Sequence, residues 1–112
     1  MLGRTPRFRE RVFTESERAY CDSKGAAAAQ HYAARFAAKE AAFKALRTGW
    51  SGGLTWHDAE VASRESGEPL LILSGRAREL FAASGATHAH LSLSHTSEYA
   101  VAQVVFERRD PR

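Results

Sequence analysis

The sequence has one cysteine, one methionine and three prolines in 112 residues. The lone Cys21 excludes an internal disulfide and suits a reducing compartment. No stretch approaches the ~20 consecutive apolar residues of a membrane span, and no apolar signal segment follows Met1. A cytoplasmic protein without a membrane partner is therefore expected. Five histidines are present, two of them (His88 and His90) on one strand face with His95 nearby. The C-x-x-C and H-E-x-x-H spacings of zinc sites are missing. So are the G-x-x-x-x-G-K-[ST] phosphate loop and the G-x-G-x-x-G dinucleotide fingerprint.

What is present is a chain of single-domain length with an ordinary apolar fraction of 44% and a net charge of +3. The charge is unevenly spread. The opening "GRTPRFRERVF" carries four arginines against one glutamate, a pattern that fits either an acidic partner or a solvated helix face. A nucleic acid is the weakest of the acidic partners, because surface aromatics do not interleave the basic residues and no nucleic-acid motif accompanies them.

Pattern and punctuation predict helices first and strands afterwards, an α+β arrangement. Residues 5–12 read as a short basic helix. Thr14, with Glu17 three residues on, forms a capping box for a second helix running to about Tyr20. A long helix follows from about Ala26 to Leu46 and stops at "RTGWSGG", where Gly49, Gly52 and Gly53 supply turn conformations. "LTWHDAEVASRE" reads as a strand, "SGEP" as a turn and "LLILSG" as a short apolar strand. "RARELFAASG" has helical spacing, with Leu80 and Phe81 inward. "HAHLSLSHTSEYAVAQVVFERR" closes as a hairpin around "HTSE".

The long helix is the unusual element. At about 100° per residue, Tyr32, Phe36, Phe43 and Leu46 share one narrow face, and Lys39 projects into the middle of it. Arg35 borders that face on one side; Glu40, Lys44 and Arg47 border it on the other. The back is nearly all alanine, so the helix is expected to pack on two sides with a charged seam between them. Glu40 and Lys44 at i, i+4 fit an ion pair of about 0.3–0.5 kcal/mol. They equally fit a metal carboxylate beside cations, the set that phosphoryl transfer requires. The Lys39 ammonium must either leave the aromatic face or meet an anion there.

These motifs resemble those of the bacterial holo-acyl-carrier-protein synthases, the small class of 4′-phosphopantetheinyl transferases. "FRERVFTESERAYC" is similar to the family's Arg-rich helix and its F-T-x-x-E-x-x-Y continuation. "ARFAAKEAAFKALRTG" resembles its R-x-A-A-K-E-A-x-x-K-A motif, and "WHDAEV", "SGEPLL" and "LSLSHTSEYAVAQVVFE" follow in the family's order. The resemblance implies a long central helix packed on a small, mainly antiparallel sheet. It implies transfer of phosphopantetheine from coenzyme A to a serine of acyl carrier protein, with Mg²⁺ as cofactor.

By the same resemblance, Glu40 is a catalytic residue and the Mg²⁺ ligand, and Lys44 is a catalytic residue that contacts the coenzyme A phosphates. Arg35, Lys39, Ser94, His95 and Thr96 line the coenzyme A pocket. Arg7 and Arg11, with Phe8 as an apolar anchor, dock the acidic carrier protein. The family's homotrimer, with sites between subunits, is expected too; the closing strand carries Ala100, Val101, Ala102, Val104 and Val105 on both of its sides. Family members open with a strand whose G-x-D aspartate is a second magnesium ligand. This chain opens "MLGRTPRFR", so residues 1–112 are expected to form one domain lacking that strand. The alternative is a degenerate relative that binds coenzyme A or carrier protein without transfer.

Overall fold

A computed structural model describes residues 6–47 and 53–110. Helix α1 (Pro6–Val12) is followed by α2 (Glu15–Asp22), a 3₁₀ turn (Gly25–Ala27) and the long α3 (Ala28–Leu46). After a second 3₁₀ turn (Trp56–Asp58) come β1 (Ala59–Ser63), β2 (Pro69–Leu73), α4 (Gly75–Ala83), β3 (His88–His95) and β4 (Ala100–Glu107). The strands form two antiparallel ribbons, β1–β2 and β3–β4, with β2 lying beside β3. The α+β arrangement read from the sequence is the one observed.

Local chemistry accounts for the element ends. Thr14 caps α2 by accepting from the Glu17 backbone N–H, while the Glu17 carboxylate accepts from the Thr14 N–H at 2.9 Å. Gly49 and Gly52, expected to stop α3, lie outside the described residues. Within them, α3 ends on Arg47 in the left-handed region, at φ 61°, a conformation few non-glycine residues adopt. The segment from Leu54 begins as a turn rather than as the expected strand. There Thr55 Oγ1 donates to Asp58 Oδ1, and Asp58 Oδ2 accepts from the Ala77 N–H at the start of α4. Asp58 thus serves as a cap from a distance, and pairing starts only at Ala59. Gly75 takes a left-handed φ of +53°, and a Cβ there would meet Asp58 Oδ1 at 3.0 Å, close enough that the capping carboxylate would have to shift.

The two-sided packing of α3 is borne out. Tyr32, Phe43 and Leu46 are buried on one side, and Ala34 and Ala38 are buried on the other. Small side chains let the α3 backbone lie close to β4, its principal strand neighbour. Phe43 and Leu46 join Leu54, Ala59, Leu71 and Ala77 in one cluster, against which Leu80, Phe81, Leu91, Val104 and Phe106 pack. Val12, Phe13, Cys21 and Tyr32 form a second, and Trp56 touches both. Burial pushes the Cys21 thiol up to about 11, with the nearby Arg35 cation opposing the rise. Phe8 packs inward on Phe36, ring centroids 6.3 Å apart, and His57 Nε2 lies 2.7 Å from the Glu10 carbonyl. Those two contacts hold α1 against the body.

Candidate functional site

The charged seam of α3 separates into an inner and an outer set. Arg35 and Lys39, one turn apart, turn inward and are buried; Glu40, Lys44 and Arg47 are exposed. Among the described residues Glu40 and Lys44 form no ion pair with each other, so both head groups face solvent unengaged.

Lys39 corrects an expectation. Read as a lining residue of the coenzyme A pocket, it is wholly buried, with its Nζ 2.8 Å from Glu17 Oε1. It also donates to the carbonyls of Ala59 at 2.6 Å and Trp56 at 3.1 Å. Burial draws its pKa below the ordinary lysine value, while Glu17 opposes that shift. The ammonium has met its anion inside the protein and has no free donor to offer a ligand. The carboxylate was legible as the second half of the α2 capping box. Its second task was not, because the two residues are 22 positions apart.

Arg35 and His95 do come together. A cleft of about 180 Å³ between α2, α3, β3 and the β1–β2 turn is lined by Tyr20, His31, Arg35, Ser63, Pro69, Leu93 and His95, among others. Arg35 is 4% exposed, and its guanidinium carbon lies 4.0 Å from the Tyr20 ring centroid, a cation–π contact that orients it. Its buried Nε has no hydrogen-bond partner among the described residues, and neither has Nδ1 of His95. An unpartnered buried donor costs about 1–3 kcal/mol and calls for an acceptor. Arg35 Nε is such a donor and His95 Nδ1 is one when it carries a proton, so a cleft lined by both residues suits an anion.

His31, not among the expected site residues, lines the same cleft. Its ring centroid is 4.8 Å from that of His95 and 5.6 Å from that of Tyr20. The available signal was its place one turn before Arg35, on the same helix face.

The remaining expected pocket residues lie elsewhere. Ser94 and His95 point to opposite faces of β3, which leaves Ser94 exposed on the outer face, paired with Val101. This chain does not bring Ser94 to the Arg35 cleft. Thr96 is in the hairpin turn, where Oγ1 accepts from the Glu98 and Tyr99 N–H groups; it lines a separate, smaller cleft with Ala29, Gln30 and Ala33. On α1, Arg7 and Arg11 are both exposed and share a helix face at i, i+4. Phe8, expected as an apolar anchor for the carrier protein, packs on Phe36 and the second core cluster.

Comparison with known proteins gives the chemical context for this arrangement. Residues 2–104 match the 4′-phosphopantetheinyl transferase superfamily. The chain belongs to that family. It is 50% identical over 101 residues to a holo-[acyl-carrier-protein] synthase of Koribacter versatilis, covering 90% of this chain and 80% of the relative. A synthase of the same description from Geobacter metallireducens is 51% identical over 105 residues, covering 94% and 82%. Among solved structures, a holo-(acyl-carrier-protein) synthase of Bacillus anthracis in complex with CoA (3′,5′-ADP) superposes with a TM-score of 0.74. It is 40% identical, with 92% of this chain and 82% of that one covered. The Helicobacter pylori synthase in complex with coenzyme A gives 0.75 at 31% identity, covering 90% and 82%.

For a magnesium ion the described residues offer an open carboxylate rather than a formed site. Among the described residues no three His, Cys, Asp or Glu side chains converge as a closed metal cage. Mg²⁺ is commonly held by one or two carboxylates, with waters and substrate phosphates completing its shell. An exposed, unpaired carboxylate such as Glu40 is a donor of that kind.

Proposed function

We propose that this chain transfers 4′-phosphopantetheine from coenzyme A to a serine of an acyl carrier protein. The carrier hydroxyl oxygen forms a bond to the phosphorus bearing the pantetheine. The P–O bond to the adenosine half breaks, and adenosine 3′,5′-bisphosphate leaves as the hydroxyl proton is lost. The observation that carries this reading is the pair of buried nitrogens without a partner among the described residues, Arg35 Nε and His95 Nδ1, on two residues that line one cleft of a chain with this family's motifs.

Each residue has a bounded task. Arg35 and His95 hold a phosphate of coenzyme A, with Tyr20 fixing the guanidinium. Lys44, one turn after Glu40 on the solvent side of α3, contacts phosphate oxygens. Glu40 holds Mg²⁺, which when bound offsets charge developing on the transferred phosphoryl oxygens. The exposed pair Arg7 and Arg11 receives the acidic carrier, and α1 is braced for this by Phe8 from within. A homotrimer covers the outer face of β3–β4, and places Ser94 and the Thr96 turn against the neighbouring copy. The cytoplasm is the compartment that suits a single buried thiol.

The test is incubation of the purified chain with coenzyme A, Mg²⁺ and apo-acyl carrier protein, read by intact mass. Gain of one phosphopantetheine on the carrier is expected. A chain that binds coenzyme A or carrier yet leaves the carrier mass unchanged is a binding module, and the transferase reading falls.

A further inference from the structure

We infer that His31 is a phosphate-binding residue of the Arg35 cleft and that it binds as the imidazolium, so that phosphate uptake brings a proton with it. The inference rests on the coenzyme A reading above and adds to it a residue and a proton.

Geometry carries the assignment. His31 and Arg35 stand one turn apart on α3 and line the same cleft. The His31 ring meets that of His95 across it, centroids 4.8 Å apart and planes at 66°. Three groups able to donate to an anion therefore converge from two elements, α3 and β3. Two of them, Arg35 and His95, carry buried nitrogens with no partner among the described residues.

The electrostatics supply the proton. The charged and titratable groups facing His31 are Tyr20 from α2, Lys24 from the turn after it, Arg35 from α3 and His95 from β3. Ser63 and Pro69, which the β1–β2 ribbon contributes to the cleft, do not titrate. Among the described residues no carboxylate lines it. Burial first, and then His95, Arg35 and Lys24, hold the His31 pKa below its ordinary value, so the cleft's own groups favour the neutral ring. A phosphate between Arg35 and the two imidazoles reverses that balance and favours the charged form. By linkage, a group that gains a proton on binding makes the complex tighter as pH falls.

The experiment is titration calorimetry on the full chain with adenosine 3′,5′-bisphosphate and, separately, adenosine 5′-monophosphate. Each is run at pH 6.5 and 8 in two buffers of different ionisation heat, for the wild type, His31→Phe and His31→Gln. Phe keeps the ring contacts with Tyr20 and His95. Gln keeps a hydrogen-bond donor that does not titrate, and it stands in if the Phe variant does not fold. The ligand's own titration is common to all three proteins and cancels in the comparison.

The wild type is expected to take up more protons than either variant. Its affinity should rise by about threefold or more beyond theirs between pH 8 and 6.5, since a pKa shift of one unit corresponds to at most about tenfold. A difference seen with the bisphosphate alone assigns the 3′-phosphate to His31, and one seen with both nucleotides assigns the 5′-phosphate; either result supports the inference. Equal proton counts and parallel pH dependence in wild type and variants overturn the role of His31 while leaving the coenzyme A reading intact. A wild type that binds neither nucleotide overturns both.

Discussion

The Lys39 ammonium lies 2.8 Å from Glu17 Oε1 in a setting where neither side chain is exposed at all. Glu17 Oε2 accepts the Val61 N–H at 2.7 Å, its Oε1 also accepts from the Thr14 N–H, and Lys39 donates to two further carbonyls. One ion pair thus joins α2, α3 and β1, and it does so with the hydrogen-bonding capacity of both charges largely filled. Removing one member leaves the other as an uncompensated buried charge, which typically costs about 3–5 kcal/mol.

Lys39→Met should therefore lower unfolding stability by about that amount, measured by urea denaturation. Adding Glu17→Gln to it should recover part of the loss, because the stranded carboxylate is then neutral. Nucleotide affinity of whatever fraction remains folded should change little. A Lys39→Met protein of wild-type stability that has lost coenzyme A binding would restore Lys39 to the pocket.

Glu40 makes the opposite prediction. It is exposed and unpaired with Lys44, so Glu40→Gln should shift stability by no more than about 0.5 kcal/mol. Magnesium-dependent transfer should fall by about a hundredfold or more, the scale on which loss of one transition-state electrostatic contact is felt. Transfer rates across a magnesium titration, with a thermal melt alongside, check both halves. Near-normal transfer by the variant at limiting Mg²⁺ rules out the ligand assignment.

The outward pair on α1 concerns the partner. Arg7→Glu with Arg11→Glu should raise the KM for the carrier protein markedly and leave nucleotide affinity unchanged. The wild-type KM for carrier should itself rise with ionic strength as the steering charges are screened. Equal loss of carrier and nucleotide binding would mean that α1 acts through the fold.

Where reasoning from the sequence succeeded and where it stopped can be traced to particular residues. Helix positions, the Thr14–Glu17 box and the hairpin all depend on spacing within a few residues, and these were legible. Arg35 and His95 are expected in one pocket by the family resemblance, and their meeting in one cleft depends on β3 crossing α3. Lys39 was misplaced because its partner stands on another element. Ser94 was grouped with His95 although strand alternation sends adjacent side chains to opposite faces. The one local signal for His31 is its place a turn before Arg35, too weak by itself to mark a site; the ring of His95 across the cleft is what gives it a task.

A pH dependence follows from the tie between α2 and β1. Glu60 accepts hydrogen bonds from Ser16 and Thr14, and the Ser16 bond above all holds its pKa below the ordinary glutamate value. A carboxylate depressed in the folded state stabilises the fold fully above its unfolded pKa, and that contribution is lost as pH falls through the folded value. Ser16→Ala should therefore be less stable than wild type at pH 7, and the gap should close toward pH 3. Urea midpoints at the two pH values check this. A gap that stays constant down to pH 3 assigns the Ser16 effect to something other than the charge on Glu60.

The outer face of the β3–β4 ribbon bears on assembly. Ala102, Val104 and Phe106 of β4 turn toward the body, whereas Val101 and Val105 on the alternate positions are 62% and 48% exposed. Tyr99 at the turn and Ile72 on β2 are exposed as well. Antiparallel sheets commonly leave one face to water, but that face is then polar; here two β-branched valines interrupt Ser92, Ser94 and Gln103. Among the described residues no apolar surface covers them, and a symmetric neighbour would supply one. Light scattering on dilute protein should accordingly give a mass near three times the 12.3 kDa of one chain. Val101→Glu with Val105→Lys should lower it toward one, since each places a charge in the buried centre of the interface. A wild-type mass near 12.3 kDa would mean that the valines face water, and that Arg35, His95 and His31 must bind their phosphate within a single chain.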